Sequence, residues 1–98
     1  MKYELHSTAG FDKWFEKIKD AATKRKVLAR LARVENGNFG DFKQIQTNLF
    51  ELRFFFGSAL RIYYTVRGSS IVLLLVGGDK SSQQSDIQKA KHLLNDLE

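Results

Sequence analysis

The chain has 98 residues, 16 Lys and Arg against 11 Asp and Glu, and neither cysteine nor proline. That length suits one domain with a modest core, expected to span residues 1–98, and 43% hydrophobic residues exclude a disordered chain. Absent cysteines exclude disulfides, a thiolate nucleophile and a thiolate-bound metal, and two histidines are too few for a His-rich metal site. No cofactor is expected.

The longest purely apolar run, 71–76, is far below the ~20 residues of a membrane span, and residues 1–5 lack the apolar core of a signal peptide. A cytoplasmic protein without a membrane partner is expected. The net charge of +5 favours an anionic partner, or simply solubility. Residues 1–35 carry nine basic and five acidic side chains, 36–80 five and three, and 81–98 two and three. The positive field therefore sits on the first two-thirds of the chain.

Residues 2–6 read as a short strand. Phe11, Trp14, Phe15 and Ile18 recur at helical spacing after Thr8, a suitable N-cap. Val27, Leu28, Leu31 and Val34 repeat the spacing after Asp20, and Asn36-Gly37 stops the run. Two nearly contiguous helices predict an antiparallel hairpin. Residues 39–47 read as a loop with a short strand around 42–45. The period then changes to two over 49–56, 60–66 and 71–76, with Gly57-Ser58-Ala59 and Gly68-Ser69 between, which predicts an antiparallel meander. Ile87, Ala90, Leu93, Leu94 and Leu97 predict a last helix. The class is α+β, in the order β-α-α-β-β-β-α: a small antiparallel-rich sheet with an N-terminal helical hairpin and a C-terminal helix.

Strand parity points to chemistry. Phe50, Leu52, Phe54 and Phe56 share a core face with Leu60, Ile62, Tyr64 and Val66. A three-residue turn at 57–59 sets Arg53 opposite Tyr63, Phe55 opposite Arg61 and Glu51 opposite Thr65. A two-residue turn at 68–69 sets Tyr63 opposite Leu74 and gives Lys80 the parity of the same face. Arg53, Arg61, Tyr63 and Lys80 on one concave surface suit phosphate binding and base stacking; an ordinary solvated sheet face has the same pattern. Lys26, Arg30 and Arg33 form a basic stripe on the second helix, fit to track a phosphate backbone or simply solvated. Residues 77–82 lack Walker spacing, which excludes a nucleotide triphosphatase loop. His6 reads as structural and His92 as a helical surface residue.

Several segments together resemble a known family: Phe11-Asp12-Lys13-Trp14-Phe15, Arg30-Leu31-Ala32-Arg33, Gly37-Asn38-Phe39-Gly40-Asp41-Phe42-Lys43, Glu51-Leu52-Arg53, Arg61-Ile62-Tyr63-Tyr64 and the run from Leu73 through Gly77-Gly78-Asp79-Lys80 to Gln83, continued by Asp86-Ile87 and Ala90. The chain resembles the RelE/ParE superfamily of bacterial toxins, in its HigB-like, phage Gp49-like group of addiction module killer proteins. The resemblance implies a RelE-like fold and a type II toxin that cleaves messenger RNA on the ribosome. It also implies neutralisation by a helix-turn-helix antitoxin. It assigns the site to Arg53, Arg61 and Lys80; strand parity adds Tyr63 to the catalytic candidates, and Lys26, Arg30, Arg33 and Lys43 are the candidate RNA contacts. Where relatives read G-P-G-Y-R, this chain reads Gly57-Ser58-Ala59-Leu60-Arg61, so a tyrosine able to stack on RNA is replaced by Leu60.

The expected reaction uses the RNA 2′-OH as nucleophile. Arg53 and Arg61 hold the scissile phosphate, Lys80 protonates the leaving oxygen and Tyr63 stacks a base or orients the 2′-OH. The general base stays open, with Glu51 and His92 as further candidates. Two rival readings remain: a ParE-like inhibitor of DNA gyrase, and a non-catalytic RNA-binding or interaction module.

Overall fold

In the computed structural model, which describes residues 2–97, both early helices begin where the sequence supplies a cap. Met1 and Glu98, the ends of the expected domain, lie outside the described residues. After β1 (Glu4–Ser7), Thr8 accepts a hydrogen bond from the Phe11 amide and starts α1 (Ala9–Glu16). Asp20 accepts from the Ala22 amide and starts α2 (Ala21–Glu35). Satisfying these otherwise orphaned donors fixes both starts. Asn36 ends α2, and Gly37 follows at φ 91°, which suits glycine.

Four strands follow: β2 (Phe42–Gln46), β3 (Leu49–Arg53), β4 (Arg61–Arg67) and β5 (Ile71–Gly78). A 3₁₀ turn (Lys80–Ser82) then leads into α3 (Gln83–Leu97). The sheet order is β1-β5-β4-β3-β2; β1 runs parallel to β5 and the other neighbours are antiparallel. The α+β class is as expected. The segment read as loop with a short strand is a full edge strand, so the meander has four members, and the first strand ends at Ser7.

The sheet divides the side chains into two cores. On one face Leu52, Phe54, Ile62, Tyr64, Val72 and Leu74 meet Phe11 of α1 and Val27, Leu31 and Val34 of α2. On the other, Leu49, Tyr63 and Leu75 meet Ala90 and Leu94 of α3. The face expected to be an open concave surface is therefore roofed in part by α3.

Both meander registers differ from expectation. Phe54 donates its amide to the Leu60 carbonyl at 3.0 Å, closing a loop over 55–59. The loop is two residues longer than expected and the register shifts by two: Arg53 faces Arg61, and Glu51 faces Tyr63. A two-residue slip preserves each side chain's face, so parity survives while partners change. Between β4 and β5 the turn takes three residues rather than two, and Arg67 pairs with Ile71; this one-residue slip sets Leu74 opposite Tyr64 on the helical face, not opposite Tyr63 as expected. The register then shifts between Tyr64↔Leu74 and Tyr63↔Val76, leaving Leu75 as the extra residue of a bulge. Leu75 and Val76 both pack toward α3 in consequence.

The two glycines ending β5 are packing residues. A side chain at Gly77 would run into the Trp14 ring, and one at Gly78 into Asp86 and Ser82. They let α1 and α3 close on the strand from opposite sides. Asp79 then accepts from the Ser81 and Ser82 amides in a capping box that starts the turn into α3.

Candidate nucleic-acid interface

The α3 side of β3 and β4 carries two polar rows. In the outer row Arg53 and Arg61 are direct register partners. Arg53 donates to an Asp41 carboxylate oxygen at 3.0 Å, and its amide bonds the Asp41 carbonyl. That hydrogen bond first, and the Asp41 charge next, raise the Arg53 pKa further above its ordinary value. Arg61 donates to the Ala59 carbonyl at 3.0 Å. The Nε atoms of both arginines are buried and have no hydrogen-bond partner among the described residues. Two guanidiniums side by side, each already beside one carboxylate (Asp41 and Glu51), are a candidate anion site.

In the inner row Lys43 pairs with Glu51, and Glu51 with Tyr63. Glu51 is 1% exposed. It accepts from the Tyr63 hydroxyl and from Gln83 Nε2, each at 2.9 Å. Arg61 Nε stands 3.6 Å from the same carboxylate oxygen, a charge pair too long to count as a hydrogen bond. A buried carboxylate persists only with such partners. It ties β3, β4 and the first turn of α3 together beneath the arginine pair.

This geometry changes the place of several sequence-expected residues. Tyr63 is 0% exposed. Burial first, then the Glu51 hydrogen bond, push its hydroxyl well above the tyrosine range. It is set to hold Glu51 rather than to stack a base on an open surface. Arg30 of the α2 stripe is also engaged: its guanidinium donates to the carbonyls of Arg53, Phe39 and Asp41 at 2.7–2.9 Å. It staples the entry of β2 to the exit of β3 and lies over the Phe54 ring. Lys26 and Arg33 stay exposed beside it, with the Lys26 ammonium 4.7 Å from the Phe56 ring centre.

Lys80 is exposed at the head of the 3₁₀ turn; its amide approaches the Ser58 carbonyl at 3.4 Å, which brings it beside the 55–59 loop. Lys43 is exposed and lines a polar crevice of about 450 Å³ with Gln83, Gln84, Gln88 and Lys91, between β2 and α3. The structure thus brings Arg53, Arg61 and Tyr63 together around Glu51. Lys43 lies at one rim, Lys80 at the loop side, and Lys26 and Arg33 on the opposite, α2 side.

Two contributors were missed by sequence reasoning. Asp41 had a signal, since extending β2 by register places it beside Arg53. Gln83 had none, because its contact depends on where α3 docks.

A larger cleft of about 780 Å³ lies between α1 and α3 over Trp14 and Gly77, and is lined by His92 but by neither arginine of the pair. Among the described residues no three His, Asp or Glu side chains gather in a way that could hold a metal ion. Nor is any described helix long and apolar enough to cross a membrane.

The fold and this arrangement define a small α+β protein that carries a cationic pair over a buried carboxylate. The family model of phage-derived Gp49-like proteins (DUF891) matches residues 13–95, and the chain belongs to that family. It is also similar to an uncharacterized protein of Haemophilus influenzae (strain ATCC 51907 / DSM 11121 / KW20 / Rd). The two are 41% identical over 97 residues, covering 99% of this chain and 98% of the relative.

Proposed function

We propose that this protein is the toxin of a type II toxin–antitoxin module, of RelE/HigB type, and cuts messenger RNA in the cytoplasm, on the ribosome, until a helix-turn-helix antitoxin neutralises it. One observation carries the reading: Arg53 and Arg61 are register partners on one face at one end of the sheet. Paired guanidiniums suit a phosphate whose charge grows during in-line attack.

In the proposed reaction the RNA 2′-oxygen attacks the adjacent phosphorus and its proton passes to water. The bond to the 5′-oxygen breaks, and that oxygen takes a proton from Lys80. The products are a 2′,3′-cyclic phosphate and a 5′-hydroxyl. Glu51 and Tyr63 serve as positioning residues in this scheme: through Arg61 and Gln83 they fix the floor of the site. Arg30 positions Arg53 by its backbone, while Lys43 supplies charge to the flanking RNA.

The test is brief induction of the protein followed by mapping of RNA ends. Cuts bearing 5′-hydroxyls are expected, and Arg53→Ala or Arg61→Ala should slow their appearance at least about tenfold, as loss of a transition-state donor does. Relaxed plasmid DNA with intact RNA would move the protein to gyrase inhibition, and wild-type cutting by either variant removes the arginine assignment.

A further inference from the structure

A second groove lies on the other side of the arginine pair, between α2 and the β3–β4 loop. It measures about 280 Å³ and is lined by Lys26, Arg33, Arg53 and Phe54 through Phe56. Phe55 is 79% exposed, more than any other large apolar side chain among the described residues. Burying such a ring in the core would be the ordinary fate of phenylalanine. Here the loop holds it out. Phe54 is anchored in the core, and hydrogen bonds from the Phe54 amide to the Leu60 carbonyl and from the Ala59 amide to the Phe56 carbonyl close the loop around it.

The Phe55 ring centre stands 6.0 Å from the Arg53 guanidinium carbon, at the edge of cation–π range. The groove therefore reaches Arg53, one member of the arginine pair. Its one acidic lining residue, Asp41, is committed to Arg53. Arg30, although in the lining, donates inward to three carbonyls and adds little to the open surface. Lys26 and Arg33 at the rim remain exposed.

We propose that this groove is a subsite for one unpaired nucleobase of the RNA, stacked on Phe55, with Lys26 and Arg33 on the neighbouring phosphates. A flat exposed ring flanked by cations is the physical pattern that binds single strands without reading sequence. A duplex hides its base faces and gains nothing from the ring. The inference rests on the RNA-cleaving reading, and it supplies from residue 55 the stacking contact that Leu60, buried in the core, does not make.

The experiment measures binding of a labelled eight-nucleotide single-stranded RNA by fluorescence anisotropy at one fixed salt concentration, for the wild type, Phe55→Ala, Phe55→Leu, Phe55→Tyr and Arg53→Ala. Phe55→Ala and Phe55→Leu are each expected to weaken binding about fivefold or more, the range for loss of one stacked base. Phe55→Tyr keeps the ring and stays within about twofold. The melting temperature should not move in any Phe55 variant, because the ring is exposed, and a duplex of the same sequence should lose nothing on Phe55→Ala.

Equal binding by the wild type and Phe55→Ala, with Arg53→Ala impaired, overturns the base subsite and leaves the RNA reading standing. Leucine as good as phenylalanine also overturns it, because bulk rather than stacking then suffices. A wild type that ignores the RNA but binds a poly-glutamate peptide in a Phe55-dependent way makes the groove a protein-docking site and overturns both.

Discussion

The two faces of the sheet are built on different principles. The face under α1 and α2 is apolar and aromatic, with Tyr64 stacked between Phe39 and Phe50 at centroid distances of 5.6 and 5.4 Å. The face under α3 has a smaller apolar cluster, and beside it Glu51 accepts from Tyr63 and Gln83 and is charge-paired with Arg61. Apolar burial is tolerant of geometry and supplies stability. A buried carboxylate network fixes geometry, and replacing such a network with apolar groups commonly costs nothing. One face therefore holds the fold together, and the other holds a site in place.

The largest expected effect breaks the first face. Ile62 is 0% exposed at the centre of the sheet. Ile62→Ala should cost about 3–4 kcal/mol from lost burial and the cavity left behind. Urea unfolding should show a lower midpoint with an unchanged slope. A loss under about 1 kcal/mol would mean that the helical face is not the stabilising one.

The second face should fail for a different reason. Glu51→Ala strands the Tyr63 hydroxyl and the Arg61 charge. Arg61 is 15% exposed, so its charge is not fully enclosed, and the expected cost is about 2–3 kcal/mol, below the range for fully enclosed pairs. Tyr63→Phe removes one donor and should cost about 1–2 kcal/mol. The double variant should lose less than the sum of the two, by about 1 kcal/mol or more, because both act on one contact. Strict additivity in the urea midpoints would show that the network is not a unit.

The order of elements was legible because each rests on a local signal: the caps Thr8 and Asp20, the stop at Asn36-Gly37, the change of period after position 48. Parity was legible across β3 and β4, where the slip is even, but not across β4 and β5, where a one-residue slip puts Leu74 on the helical face with Tyr64. Register was not. It depends on the 55–59 loop and on the Leu75 bulge, which answer to packing against α1 and α3 rather than to the strand sequence. The arginine pair was therefore foreseeable as a cluster but not as direct partners. The burial of Tyr63 and the inward turn of Arg30 were invisible, because both depend on distant elements: α3 in one case and the β2 entry in the other.

A smaller effect probes how α3 is seated on the site. Asp79 accepts from the Ser81 hydroxyl and amide and from the Ser82 amide. These bonds, the Ser81 hydroxyl foremost, hold its carboxyl below the ordinary value of 3.8. Because the folded value is depressed, this contribution is complete above about pH 4 and is lost as pH falls through the folded value. Asp79→Ala should cost about 1 kcal/mol at neutral pH, as loss of an N-cap does. The gap between variant and wild-type melting temperatures should narrow as the pH falls below 3.8. A gap that stays constant through that range would detach the cap from the titration.

The smallest effect concerns the loop that carries the site. Ala59 sits at φ 58°, where a Cβ is disfavoured by about 1 kcal/mol or more. Its carbonyl accepts from Arg61, so the strained residue is also the one that aims the arginine. Ala59→Gly relieves the strain but gives the unfolded chain more freedom, an opposing term of about 0.4–1 kcal/mol. With the strain near its lower bound of about 1 kcal/mol, the balance is a gain of about 0–0.6 kcal/mol, read as a small rise in the urea midpoint. Were the variant instead clearly less stable, the methyl group would be contributing packing that outweighs the backbone cost. The site end of the sheet would then be as tightly optimised for stability as the helical face, and the contrast between the two faces would not extend to this loop.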